Sequence, residues 1–154
     1  ADGKVRREGP LAEVLADVKM PIETENGASV VLSGKVSSLS NEWKTCCIDA
    51  GGWTFETPMA SLAMGSQVRL RVLARDVSIA VEKPDSISIR NRLQAEVEEI
   101  AAHPSEPAYQ LVKLKCPNGE GRLVSRILRQ SVTELGLHPG SQVWALVKAS
   151  AVIM

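Results

Sequence analysis

Two short clusters in the second half of the chain carry the residue types needed to hold a negatively charged ligand. Ser88 and Arg90 stand in the run Ser88-Ile89-Arg90-Asn91, and Lys148 and Ser150 stand near the C-terminus in Lys148-Ala149-Ser150. Arginine presents a planar fork of donors and lysine a compact cation, while serine hydroxyls, the Asn91 amide and backbone N–H groups fill the gaps. A set made almost entirely of donors suits a tetrahedral oxyanion better than a metal cation. Ser131 follows Gln130 in the first turn of an expected helix, where a hydroxyl would join the positive end of the helix dipole. The same charges also fit ordinary solvated strand ends, because exposed basic residues are the default protein surface.

The elements that must position these residues form a repeat, the feature to look for before any other because it sets the architecture. Gly140-Ser-Gln-Val-Trp-Ala-Leu-Val-Lys-Ala-Ser-Ala-Val152 has a near copy in Gly65-Ser-Gln-Val-Arg-Leu-Arg-Val-Leu-Ala-Arg-Asp-Val77, shifted by 75 positions. Leu73 and Arg75 stand in the first copy where Lys148 and Ser150 stand in the second, so only one copy carries the polar pair. The first lobe reads as strands over Ser29 to Leu39, Trp43 to Asp49 and Trp53 to Thr57, then a short helix opened by Thr57-Pro58 and ended before Gly65, then a strand in which Val68, Leu70 and Val72 alternate with Arg69 and Arg71. That lobe ends near Val81. The second repeats the order with a strand from Ser88 to Ile100, a strand from Tyr109 to Cys116 in which Val112 and Leu114 alternate with Lys113 and Lys115, a turn at Pro117-Asn118-Gly119, a return strand from Gly121 to Ile127, a helix from Gln130 to Leu135 stopped by Gly136, and a final strand to Val147. Two lobes of this order are best built as small all-β barrels of OB type, each with one short helix, whose sheets curl to close their own edges.

Upstream, Gly9-Pro10 opens a short helix whose Leu11, Val14, Leu15 and Val18 fall on one face. One short amphipathic helix is not stable alone, so this face is expected to have belonged to a larger body. The expected division is residues 1–24 as the tail of another domain and a linker, 25–83 as the first lobe, and 84–154 as the second.

Composition excludes several classes. The chain has 154 residues, is 44% apolar and has a formal net charge of zero. It can bury roughly 68 to 70% of its unfolded surface, enough for one domain or two small lobes. Zero net charge removes the broad positive field that non-specific nucleic-acid or anionic-membrane binding needs, so any anion site must be local. Three cysteines, with Cys46 and Cys47 adjacent, form no CxxC pair and suit a reducing compartment. In a strand pattern these neighbours point to opposite faces, which favours packing over redox work. No apolar run approaches the roughly 20 residues of a membrane helix. There is no GxxxxGK[ST] loop and no GxSxG elbow, and His103 and His138 both sit beside prolines in expected loops, so no catalytic role is assigned.

Ser88-Ile-Arg-Asn91, followed by Leu135-Gly-Leu-His-Pro-Gly140 and then Val147-Lys-Ala-Ser-Ala-Val152, resembles the molybdate-binding mop repeat of the TOBE superfamily, whose motifs are Ser-Ala-Arg-Asn and Ile-Lys-Ala-Ser. With the upstream Gly9-Pro-Leu-Ala-Glu-Val-Leu15 and the degenerate first copy, nearly the whole chain is similar to the C-terminal part of the ATP-binding subunit of bacterial molybdate ABC transporters. The resemblance implies a homodimer at the cytoplasmic face of the inner membrane. Molybdate or tungstate would be held between mop units of two chains by Ser88, Arg90, Lys148 and Ser150. It also implies ATP only in a nucleotide-binding domain outside this chain, a membrane permease as partner, and no nucleic acid. The family's Ile-Thr-x-x-Ser pattern appears here as Ile127-Leu128-Arg-Gln-Ser131, so leucine replaces a hydroxyl ligand. Gly27-Ala-Ser-Val30 and Leu73 replace the motifs in the first copy, which leaves that copy to scaffolding and dimerisation. Rival readings are a free-standing molybdate store, the ligand domain of a molybdate-responsive transcription regulator and, more remotely, an OB-like nucleic-acid-binding module. Trp43, Trp53, Phe55, Tyr109 and Trp144 are the whole aromatic set, which is thin for a base-stacking platform.

Overall fold

The computed structural model describes residues 28–59 and 61–154. The expected N-terminal helix, the linker after it and Gly27 lie outside the described residues. Four strands form the first sheet: β1 (Ser29–Ser40), β2 (Thr45–Ala50), β3 (Trp53–Pro58) and β4 (Gln67–Leu73), in the order β3-β2-β1-β4 and all antiparallel. Five form the second: β5 (Ser78–Ala80), β6 (Asn91–Ala102), β7 (Tyr109–Lys115), β8 (Arg122–Leu128) and β9 (Gln142–Val147), in the order β5-β9-β6-β7-β8. One helix, α1 (Arg129–Leu135), links β8 to β9, and 3-10 turns at Ala74–Asp76 and Ala149–Ala151 follow β4 and β9.

The repeat extends to the register. Val30 pairs with Val72 in the first sheet as Asn91 pairs with Val147 in the second. The long first strand of each lobe is broken at the same place by a register shift, between Val36 and Ser38 and between Val97 and Glu99, and such a bulge bends the strand and raises its twist. The class is all-β, as the sequence implies, and the two units have the OB-like build of a related solved structure described below.

Three expectations are corrected. Thr57 and Pro58 do not open a helix; they end β3, paired with Cys46 and Thr45, and the described part of 59–66 runs in turns and bends. From this stretch Leu62 packs against the core. The edges are also not closed within each lobe. Ser78–Ala80, at the end of the first repeat, crosses to pair with Leu146, Ala145 and Trp144 of β9, and Ile153, at the end of the second, pairs with Arg71 of β4. Each lobe thus covers an open edge of the other, satisfying backbone groups that a lone sheet would expose. The alternation on β7 breaks at Lys113, which is buried, because Ala28, Val30 and Ala74 of the first lobe pack with Leu111 and Val124 over the outer face of the second sheet. Lys113 keeps its charge partnered there, with its Nζ 3.6 Å from Glu98 Oε1.

One apolar core runs through both lobes. Val36, Ile48, Phe55, Leu70 and Val72 from the first sheet belong to the same buried cluster as Leu93, Val97, Leu114, Leu123 and Val147 from the second. Where the hairpin tips meet, only glycine fits: Gly121 N–H donates to Gly51 O at 2.8 Å, and a Cβ on Gly119 would stand 2.4 Å from that same oxygen.

Candidate functional site

Antiparallel pairing of β6 with β9 brings the two polar clusters together. Asn91 opens β6 opposite Val147, the last residue of β9, so Ser88–Arg90 and Lys148–Ser150 leave the sheet side by side. Ser88, Arg90, Lys148 and Ser150 are all exposed. The expected strand start at Ser88 moves to Asn91, which frees the Ser88 and Arg90 segment from the ladder. The connection carrying Ser88 is tied down beforehand. Arg92 Nη1 donates to Pro84 O at 2.9 Å, Lys83 Nζ sits 5.2 Å from the centre of the Trp144 ring, and Ser86 takes a left-handed φ of 55°. On the other side, Ala151 N–H and Val152 N–H fold back onto Lys148 O and Ala149 O, setting Ser150 on a tight turn directly after the strand.

Strand β3 of the first lobe underlies both clusters. Asn91 is buried, its Oδ1 accepts from Glu56 N–H at 2.7 Å, and its Nδ2 donates to Glu56 O at 2.9 Å. The partners fix the amide orientation, since a backbone N–H must meet the oxygen and a carbonyl the NH2. Asn91, grouped with the ligand donors in the sequence, therefore spends its amide on locking the motif to β3. The Glu56 carboxylate in turn accepts from Arg90 Nε at 3.0 Å. Thr57 Oγ1 donates to Ala149 O at 3.4 Å, and Trp53 Nε1 donates to Gln94 O at 2.7 Å. Arg90 and Lys148 against Glu56 leave the patch with one excess positive charge.

Ser131 is not among the groups that this pairing gathers. It lies half-buried in α1, which packs on β7 and β8 and closes as the sequence implies with Gly136 in the left-handed conformation at φ 65°. Leu128, the residue in place of threonine, is the N-cap of α1, is 44% exposed and makes no side-chain cap. The sequence does not point to Glu56, or to Thr57 as a neighbour of these clusters, because both belong to the other repeat. Alignment of the hairpins offers a signal for Glu56: it pairs with Cys47 as Val124 pairs with Lys113, so a carboxylate replaces a buried valine at matching positions.

Among the described residues no group of three or more His, Cys, Asp or Glu side chains is placed to hold a metal ion, and no helix is long and apolar enough to cross a membrane. His103 Nδ1 accepts from Ser105 N–H and Glu106 N–H, both at 3.1 Å, and shapes the β6–β7 loop. Cys46 points into the core and Cys47 to the other face, as adjacent strand residues must. Burial, with Cys47 close by, pushes the Cys46 thiol up from its ordinary pKa.

Comparison with known proteins gives this geometry a context. The family described as the TOBE domain matches residues 87–154, the stretch that holds both clusters. The chain is 33% identical over 152 residues to the molybdenum import ATP-binding protein ModC of Methylococcus capsulatus, a match covering 99% of this chain and 42% of that protein. It is 36% identical over 156 residues to the ModC protein of Pseudomonas fluorescens, covering 99% and 42%, and 39% identical over 150 residues to that of Brucella abortus, covering 97% and 40%. The chain thus spans about two fifths of the length of the curated relatives it matches. Among solved structures, the cytoplasmic molybdate-binding protein ModG with molybdate bound superposes with a TM-score of 0.67 at 28% identity, covering 80% of this chain and 92% of that one. Residues 87–154 therefore match the TOBE domain, and the chain as a whole is similar in sequence to the C-terminal part of the molybdenum import ATP-binding proteins.

Proposed function

We propose that this chain is the oxyanion-binding regulatory and dimerisation part of a molybdate-importing ABC transporter's ATP-binding subunit, and that molybdate or tungstate is its ligand. The observation that carries the reading is the β6–β9 register, which sets Ser88 and Arg90 beside Lys148 and Ser150, all four of them exposed. A dianion docked there meets a guanidinium, an ammonium and two hydroxyls from one side only. A second copy completes the shell, and any contribution of Ser131 comes from that copy. ATP binds in a domain outside this chain, the permease is contacted through that domain, and the assembly sits at the inner face of the plasma membrane.

Regulation follows by linkage. A ligand that prefers one arrangement of the paired regulatory parts shifts the attached ATPase domains toward the state that goes with it. Molybdate added to the full transporter is then expected to change its ATPase rate over the concentrations that saturate this site, and an unchanged rate would sink the regulatory part.

Binding itself is tested by titrating the 154-residue chain with molybdate, sulfate and phosphate beside Arg90→Ala and Lys148→Ala. The expected result is saturable molybdate binding near one per chain, lost in both variants and weak for phosphate. Absence of binding by a folded dimer would leave only a dimerisation module. The superposition on ModG supports a second reading, a free-standing molybdate-binding protein. Under it the same titration succeeds, but co-purification of the full-length protein with a permease fails.

A further inference from the structure

We infer that Glu56, contributed by the first lobe, is a positioning residue for the oxyanion site: its carboxylate holds Arg90 by Nε so that the two Nη groups face the ligand. The inference rests on the function proposed above and adds a residue and a role for the lobe that lacks the motifs. Three observations carry it.

The contact is selective. The Glu56 bond is to Arg90 Nε at 3.0 Å, which leaves the Nη pair, the part of the fork that grips an oxyanion in bidentate fashion, for another partner. The Arg90 side chain is 65% exposed, so without Glu56 it would sample many rotamers and lose that freedom on binding. Glu56 is the better-held partner. Its side chain is 23% exposed, and both of its backbone polar groups are clamped by the Asn91 amide, one residue from Arg90. The carboxylate is therefore tied to the same motif it steadies, a support that keeps a ligand-holding group in its productive geometry.

The fold does not require this arrangement. In the other half of the repeat Val30 takes the place of Asn91 and Val124 that of Glu56, and these two valines lie in one buried apolar cluster. The clamp and the carboxylate occur together, and only beside the clusters that carry Arg90 and Lys148. Nor does stability account for the pair, because an ion pair this exposed contributes little to folding.

A carboxylate beside a dianion also repels it, so removal of Glu56 has two opposed effects, which two variants separate. Glu56→Gln and Glu56→Ala both remove the charge, but only glutamine keeps an acceptor for Arg90 Nε. Molybdate titration of the 154-residue chain is expected to show Glu56→Ala binding at least roughly fivefold more weakly than Glu56→Gln, the scale of ordering one long side chain. The difference should vanish in an Arg90→Lys background, whose ammonium has no Nε, while thermal midpoints of the two variants agree. Equal affinity of the two variants, or a difference that persists with lysine at position 90, overturns the positioning role while leaving the oxyanion site intact. No binding by the unsubstituted chain overturns the site and the positioning role together.

Discussion

At the scale of single residues, the exposed donors of the site differ from the buried amide that holds them in place. Asn91 looks in sequence like one more donor, yet its amide closes on the Glu56 backbone. Replacing it with alanine strands a buried N–H and C=O at once. An unsatisfied buried polar group costs about 1–3 kcal/mol, so Asn91→Ala is expected to lower stability by roughly 2–4 kcal/mol in urea unfolding. A loss under 1 kcal/mol would show that the clamp is not structural. Thiol chemistry divides as sharply. Burial keeps the Cys46 thiol protonated at neutral pH, and Cys116 is buried too, whereas Cys47 is half-exposed on the opposite face. Native alkylation followed by mass spectrometry should therefore label Cys47 first, with Cys46 and Cys116 reacting only after unfolding. Early labelling of Cys46 would contradict its place in the core.

At the scale of elements, α1 shows what the departure from the family pattern does. Leu128 occupies an N-cap with extended φ and ψ of −65° and 142° and offers no acceptor to the first turn. Threonine there could cap the helix, so Leu128→Thr is expected to stabilise the protein by about 0.5–2 kcal/mol, read as a rise in thermal midpoint, and to restore a hydroxyl near Ser131. A lowered midpoint would mean that the leucine side chain packs better than a cap would serve. Most elements were legible in the sequence because local signals and tertiary demands agree. Alternation of Leu70 and Val72 with arginines gave β4, and Gly136 gave the end of α1. Thr57-Pro58 misled because helix-start chemistry is a local preference, and pairing across to Thr45 and Cys46 outweighs it. Of the candidate site, the two clusters were legible through their types and the repeat. The part drawn from β3 was not, since residues far apart in sequence carry no spacing signal for a contact between lobes.

At the scale of the whole molecule, the two repeats are bound together more tightly than tandem lobes on a linker. They share one buried cluster, their glycine hairpin tips meet without room for a Cβ, and each lends a terminal segment to the other's sheet. The exchange follows the repeat itself: the 3-10 turns at Ala74–Asp76 and Ala149–Ala151 sit at matching places, and the residues after them, Ser78 and Ile153, pair with Leu146 and Arg71. Neither sheet can open its edge without exposing backbone groups supplied by the other. Unfolding in urea should therefore be a single transition, with far-UV circular dichroism and the fluorescence of Trp53, kept as the only tryptophan by Trp43→Phe and Trp144→Phe, giving one midpoint. Two separated transitions would mean that the lobes are independent units. Ile153→Pro tests the exchange directly. It removes the N–H that donates to Arg71 O at 3.0 Å and disturbs the return bond from Arg71 N–H to Ile153 O at 2.7 Å. A loss of about 1–3 kcal/mol is expected, which for a chain of this size lowers the thermal midpoint by roughly 2–12 °C. The loss should appear as one shifted transition and not as early melting of the second lobe, because the bond broken belongs to the edge of the first.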